Sequence, residues 1–438
     1  MKVTSSIRRQ KGAVIITVAL FLMFLLGFMG IAMDLGRLFV VKTELQTAMD
    51  ACALAAVQEL DRQPNSITRA RAAGIAAGTR NRVDMQGRTP SLVDTTLTFY
   101  TDTGGGLAET TVPEQAIYVR CTHLQNDVRS WVLHTMGAFT GDLAANPNTR
   151  SVGATAVATW ENAQRACVLP LVMRQRNGTP PDYGYTPGEW VPLLISQSAT
   201  TGGDIGWANT DGSNGASTTE DQLRGNCPHR SVDDPITMGV QSGVADAWNA
   251  RFGIYRNSNV DITAFGNRPD YTGYSYTSTN WPSRFNAYRG ERPAGAPEGA
   301  ANFITKRQAF ASCADTGTRV RGGGPGTPTC ESITGLQLES FNDLATPGAS
   351  GEHARYGMNR RLATVPIVNA GGRIEAFACM LMLQPLPVGN GGRQIEGTIY
   401  LEYIGNANED ETNGRPRSPC TTTGRAGGSG PRVPVLVR

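Results

Sequence analysis

The sequence predicts an α+β protein. An N-terminal transmembrane helix continues into a long exported helix, followed by a small α/β unit and a β-rich domain with long loops. Three observations predict it. An uncharged apolar run covers Ala13–Met33, helical periodicity carries on without a break to Asp61, and short apolar segments among Gly- and Pro-rich stretches fill the rest. The expected divisions are 1–12 (cytoplasmic tail), 13–33 (span), 34–84 (helical stalk), 85–162 (α/β unit) and 163–438 (β-rich domain).

The run AVIITVALFLMFLLGFMGIAM has the roughly 20 residues that a helix needs to cross hydrocarbon, with Ala13, Leu20, Leu25 and Ile31 spread along it. Lys2, Arg8, Arg9 and Lys11 precede it without an acid, whereas Asp34, Arg37, Lys42 and Glu44 beyond it nearly cancel. That asymmetry predicts a cytoplasmic N-terminus and an exported remainder. Two other readings compete. Gly30-Ile31-Ala32 has the small-x-small form of a signal-peptidase site, but the apolar run exceeds a signal core and the helical pattern crosses that point. Gly12 stands where a prepilin-type signal is cut, yet the fifth residue beyond it is Thr17 where prepilins carry Glu. A retained anchor is the expectation.

From Asp34 to Asp61 apolar residues recur at Leu38, Val41, Leu45, Ala48, Met49, Cys52, Ala53, Ala56 and Leu60. A helix from Ala13 to Asp61 is roughly 70 Å long at the standard rise. Pro64-Asn65 ends it, and Ser66 is placed to cap a second helix from Ile67 to about Arg82. The Ala-rich stretch Ala48–Ala56 permits close approach of another backbone, from this protein's own folded domain or from a partner.

These residues carry a family resemblance. Arg8-Arg9-Gln10-Lys11-Gly12-Ala13, the apolar run, Asp34-Leu35-Gly36-Arg37-Leu38, Thr43-Glu44-Leu45-Gln46 and Asp50-Ala51-Cys52-Ala53-Leu54-Ala55 resemble the N-terminal region of TadG-like proteins of the Tad (tight adherence, Flp pilus) assembly machinery. Cys52 departs from the usual Ala. The resemblance implies a single-pass component of the bacterial inner membrane, facing the periplasm, that supports pilus assembly through contacts with other Tad or envelope proteins. It implies Asp34, Gly36, Arg37, Leu45, Gln46, Ala48, Asp50, Ala51 and Ala53 as the motif and partner-helix positions, and supplies no catalytic residue. Ala116–Arg120, a helix-like Val128–Phe139 and Val152–Ala158 resemble the strand–helix–strand order that follows such anchors.

Further along, Leu92–Tyr100, Ala116–Cys121 and Arg150–Trp160 have strand composition, and Asp127–Ala138 reads as an amphipathic helix. After Arg165, strands are expected at Val168–Val172, Val191–Ile195, Ile333–Leu338, Ala363–Val368, Ile374–Leu383, Ile395–Tyr403 and Val433–Val437, with one helix near Gly239–Phe252. Eight cysteines on the exported side of a membrane favour disulfides. Spacing does not determine pairings; Cys313 with Cys330, Cys379 with Cys420 and Cys167 with Cys227 are the expected ones. Cys52 and Cys121, in regular segments, read equally well as buried thiols.

The formal net charge of +3 over 438 residues makes no case for nucleic-acid binding. Asp211-Gly212-Ser213-Asn214-Gly215 approaches the metal-site pattern D-x-S-x-S but ends in Gly, and the preceding Gly206–Thr210 does not read as a buried strand, so a polar turn is expected. His123, His134, His229 and His353 lack HExxH spacing, no G-x-S-x-G is present, and Gly322–Gly326 lacks the Lys-Ser/Thr of a phosphate loop. No enzyme chemistry, cofactor, metal or small-molecule substrate is expected. The aromatic run Tyr271, Tyr274, Tyr276, Trp281, Phe285 and Tyr288 admits two readings, a contact surface for sugars or a partner, or a core. The basic residues Arg415, Arg417, Arg425, Arg432 and Arg438 read as a solvated face.

Overall fold

The computed structural model describes residues 11–62, 64–102, 107–132, 134, 141, 148–195, 204–212, 216–238, 243–315, 317–322, 326–392, 397–409, 417–422 and 425–437. They form two compact units, residues 1–160 with 434–438, and residues 161–433. The fold is mixed, with one long apolar helix at the N-terminus and a β-rich remainder.

The first unit is built on α1 (Lys11–Gln58), one unbroken 48-residue helix. No Pro interrupts it, and its first half buries little: from Val14 to Met33 nearly every large apolar side chain faces outward. Beyond that run, Leu45, Met49, Cys52, Ala53 and Ala56 are buried against a sheet. The sheet has the order β16-β4-β3-β1-β2, with β1 (Leu97–Asp102), β2 (Leu107–Glu109), β3 (Tyr118–Arg129), β4 (Thr149–Asn162) and the final strand β16 (Arg432–Val437). β3 runs antiparallel to β1 and to β4. In β4 the alternating Val152, Ala154, Ala156, Ala158 and Trp160 turn inward. Three small alanines on one sheet face let a helix lie close, and the Trp160 indole closes the row by donating to the Val57 carbonyl at 2.9 Å.

A second helix, α2 (Ser66–Arg80), lies against α1. Asn65, not Ser66, occupies its N-cap, and Ser66 is buried in the first turn. Gly74 and Gly78 face α1: a Cβ at Gly74 would stand 3.1 Å from both the Ala56 Cβ and the Cys52 carbonyl, and one at Gly78 would stand 3.2 Å from the Cys52 Cβ. The Ala-rich face of α1 is therefore covered by its own unit. Strand β3 continues through Asp127 and Val128, where the periodicity had indicated a helix. A bulge between Gln125 and Val128, with Asp127 at φ 62°, bends the strand there and accounts for the broken alternation. Most of Leu133–Ala138 lies outside the described residues.

The second unit holds β5 (Ala166–Cys167), β6 (Leu171–Arg174), β7 (Trp190–Leu194), β8 (Ile205–Asn209), β9 (His229–Arg230), β10 (Thr237–Met238), β11 (Ile254–Tyr255), β12 (Asp343–Leu344), β13 (Leu362–Val368), β14 (Ile374–Met382) and β15 (Thr398–Asn406). Seven strands take the order β10-β8-β6-β13-β14-β15-β7, and β7 also meets β8 through Leu193 and Ile205. That last bridge closes six of them into a ring. Inward residues such as Met173, Leu193, Trp207, Val365, Ala378 and Leu401 form one core cluster. Outward residues such as Val172, Trp190, Phe377, Cys379 and Leu381 join a second under the long loops. A small barrel covered outside as well as filled inside explains why β14 is apolar nearly throughout rather than alternating.

Three expectations are corrected here. Ile205–Asn209, read as no buried strand, is β8, wholly buried in the barrel wall. Gly206 hid it from a composition argument, yet its backbone is paired on one side by β6 and its neighbour Trp207 fills the barrel. Ile333–Leu338 is not a strand, because its start belongs to a short helix, Cys330–Thr334, that Thr329 caps. Arg432, read as solvated, is buried. The expected helix near Gly239–Phe252 is Ala245–Ala250, with 239–242 outside the described residues.

Glu402, on β15, is buried and accepts hydrogen bonds from the amides of Ala287 (2.6 Å) and Tyr288 (3.1 Å) and from the Trp190 indole (3.2 Å). Burial wins over these donors and pushes its pKa from the usual 4.5 up to about 8. An acid whose pKa is raised on folding stabilises the fold while protonated and loses that contribution as it ionises. Unfolding free energy should fall as pH rises from about 4.5 to about 8, then level off. Comparing urea midpoints of wild type and Glu402→Gln across that window checks this, and identical pH profiles would refute it.

Candidate functional site at the end of the apolar helix

The first charges after the apolar run are Asp34 and Arg37, one helical turn apart and hence on one face of α1. Both turn toward the folded unit. The buried Asp34 carboxylate accepts the successive amides of Trp131 (3.0 Å) and Val132 (2.9 Å). Two parallel N–H donors to one carboxylate make a charge-assisted clamp. Arg37 donates to Asp84 at 2.7 Å and to the Arg129 carbonyl at 3.0 Å, and its guanidinium lies 4.4 Å over the Trp131 ring. Glu44, two turns on, accepts from the Met85 amide and the Gln86 side chain. The turn Asp84–Gln86 places three consecutive non-glycine residues at φ 58°, 56° and 63°. Such a turn persists only when its surroundings hold it, and here the holders are Arg37 and Glu44 of the helix.

The polar side of α1 also binds β4. Lys42 Nζ donates to the Gly153 carbonyl at 2.6 Å, and Gln46 donates to the Thr155 carbonyl at 2.9 Å and to Asp50 at 2.8 Å. Carbonyls two residues apart on a strand point the same way, so the helix satisfies one side of that strand in series. One turn before Asp34, Gly30 faces Val132 so closely that a Cβ there would overlap its isopropyl group.

The motif positions thus divide. Asp34, Arg37 and Gln46 make directed bonds to the folded unit, with Asp50 half-buried beside Gln46, while Leu45, Ala48 and Ala53 are buried in the unit's own core and Ala51 lies at its margin. Gly36 looks outward, with nothing within 4 Å of where a Cβ would stand. Leu20, Leu25 and Ile31 face outward, and the side chain of Ala13 is outside the described residues. From sequence Lys42 and Glu44 were read only as flanking charges, Glu44 also within the motif, and Asp84 and Trp131 were given no role at a site. Glu44 and Lys42 belong to the helical pattern, but nothing local marks which turn or strand they reach.

Asp34→Ala would strand two amides and should lower the thermal midpoint of the full-length protein in detergent, by the equivalent of about 1–3 kcal/mol. Asp34→Asn, which keeps one acceptor oxygen, should lose less. Equal midpoints for all three would remove the clamp from the account.

The described cysteines pair as Cys52–Cys121, Cys167–Cys227, Cys313–Cys330 and Cys379–Cys420, with Cα separations of 6.2, 5.3, 5.9 and 5.5 Å. The last three are the expected pairs. The first joins the two cysteines that also read as thiols, because α1 lies across β3 where their side chains meet. The aromatics Tyr274, Tyr276 and Trp281 are buried and stacked edge-on, with centroids 5.1 and 5.6 Å apart, and Tyr288 is half-buried. A ring inside the core offers no face to a sugar, so the core reading describes Tyr274, Tyr276 and Trp281, while Phe285 of the same run is exposed. His353 is also buried, its Nδ1 2.7 Å from the Asp270 carbonyl. Among the described residues, no group of three or more His, Cys, Asp or Glu is placed to hold a metal. Asp211 is exposed after β8, while 213–215 lie outside the described residues.

Residues 12–59 match the family model described as putative Flp pilus-assembly TadE/G-like. This helical segment is TadE/G-like. The match coincides almost residue for residue with α1, and it takes in both the apolar run and the motif that ties the run to the folded unit. No curated protein matches the chain, and no solved structure does.

Proposed function

We propose that the protein is a membrane-anchored, non-enzymatic component of Tad/Flp pilus assembly and secretion, held in the bacterial inner membrane by the first half of α1 with its folded units in the periplasm. It acts through protein–protein contacts. The observation that carries this is the TadE/G-like helix itself: one rigid element, apolar and outward-facing for its first half, clamped for its second half to a folded unit. That helix is long and apolar enough to cross a membrane. Disulfide-paired cysteines fit an oxidising compartment. Cell fractionation tests the reading: the full-length chain should stay with the inner membrane, and recovery in sheared surface fibres would count against it.

A second reading is favoured by one feature, a helix laid on an antiparallel sheet as in pilin-like architecture. On that reading the chain is a minor pilin, processed after Gly12. N-terminal sequencing separates the two, since a mature chain beginning at Ala13 supports the second.

A further inference from the structure

The apolar surface of α1 does not end with Met33 on every side. Leu35, Leu38, Phe39 and Lys42 recur at helical spacing on one face, and with residues 149–153 of β4 they line a groove of about 690 Å³. Phe39 is 70 % exposed. Among the described residues that line the groove none is acidic, and the charged ones are Lys42 and Arg150. Lys42 gives one of its three N–H donors to the Gly153 carbonyl. Arg150 Nε is shut away from solvent without a hydrogen-bond partner.

Depth narrows what fits. On the proposed reading Met33 ends the hydrocarbon-spanning run. At a helical rise of about 1.5 Å, Leu35–Phe39 lie about 3–9 Å beyond it and Lys42 about 13 Å beyond. The headgroup layer on each side of a bilayer is about 5–8 Å thick. Leu35 and Leu38 therefore lie within that layer, Phe39 at its outer edge, and Lys42, with a long flexible side chain, just beyond it, where basic side chains attract the phosphates of anionic lipids. A second protein helix would cover Leu35 and Phe39 but would set two cations against an apolar wall at a desolvation cost.

We propose that this groove binds the headgroup of an anionic phospholipid, with the phosphate between Lys42 and Arg150 and the glycerol-ester region on Leu35 and Phe39. The site rests on α1 spanning a bilayer.

Native mass spectrometry of the full-length protein, reconstituted in vesicles of equal phosphatidylglycerol and phosphatidylcholine, tests the site. The wild type should retain one phosphatidylglycerol at least tenfold over phosphatidylcholine. Arg150→Gln and Lys42→Gln should each cut that preference several-fold, and Lys42→Arg should keep it. Equal retention of both lipids, or a preference unchanged in both glutamine variants, overturns the site, as does a groove filled by a second copy in a lipid-free dimer. Flotation with the same vesicles separates the two levels. Protein that fails to float removes the span and the site together, whereas protein that floats without lipid preference removes the site alone.

Discussion

Replacing Cys52 and Cys121 together by alanine should destabilise the first unit by about 4 kcal/mol. The bond joins the C-terminal end of α1 to β3 across 69 residues. In the chain-entropy account a cross-link closing a loop of that size removes about 4 kcal/mol of freedom from the unfolded chain. Both side chains are fully buried, so the alanines also leave a small cavity rather than a relaxed surface. Amide hydrogen exchange of the full-length protein reads the effect locally: the slowest amides of β3 and β4 should exchange about a thousandfold faster, while those of β13 and β14 in the other unit keep their rates. Protection unchanged in β3 would mean that the bond adds nothing to what packing supplies. Reducing agent acts on all four bonds and cannot replace the double substitution.

Asp270→Ala should have an effect of similar size in the second unit, about 3–5 kcal/mol. Asp270 is completely buried and accepts the amides of Arg360 (2.8 Å), Arg361 (3.0 Å) and Thr272 (3.1 Å). Around it lie Arg251, Arg360 and Arg361, all nearly or wholly buried. Arg361 donates to the carbonyls of Met382, Thr272 and Tyr274 and sits 4.3 Å over the Phe252 ring. Burial lowers the pKa of Arg360 and of Arg361 to about 10, and the carboxylate of Asp270 opposes that shift. Both guanidiniums stay charged at neutral pH. Removing the one buried acid among them therefore leaves three amides unpaired and the cations uncompensated. Asp270→Asn keeps an acceptor but not the charge and should fall between wild type and Ala. Urea unfolding followed by fluorescence suits this unit, where Trp207, Trp248 and Trp281 are fully buried. A midpoint for Asp270→Ala within error of wild type would show that the network carries no stability.

Legibility followed the range of the interactions. The helix over Asp34–Asp61 was readable because apolar spacing at 3.6 residues is a local signal, and its end shifted only to Gln58. Strands β13, β14 and β15 were readable as apolar runs between turns. β8 was not, since Ile205–Asn209 carries a glycine and an asparagine and is a strand only because β6, β7 and β10 pair with it. The aromatic run was ambiguous for the same reason. Tyr274, Tyr276 and Trp281 lie in a segment without regular structure, and only the packing of that segment over the barrel buries them. At the end of the apolar run, Asp34 and Arg37 were marked by the family resemblance, but Asp84 and Trp131, about 50 and 100 residues on, carry no mark of belonging to them.

By itself, the order of residues determined one long helix with an uncharged, outward-facing first half, because hydrophobicity and helical period are properties of neighbouring residues. The tertiary structure alone decided that Cys52 meets Cys121, that Asp34 closes on Trp131 and Val132, and that six strands close into a ring. Those pairings join distant stretches of chain, and only the packing of whole faces selects among the many that the same residues permit.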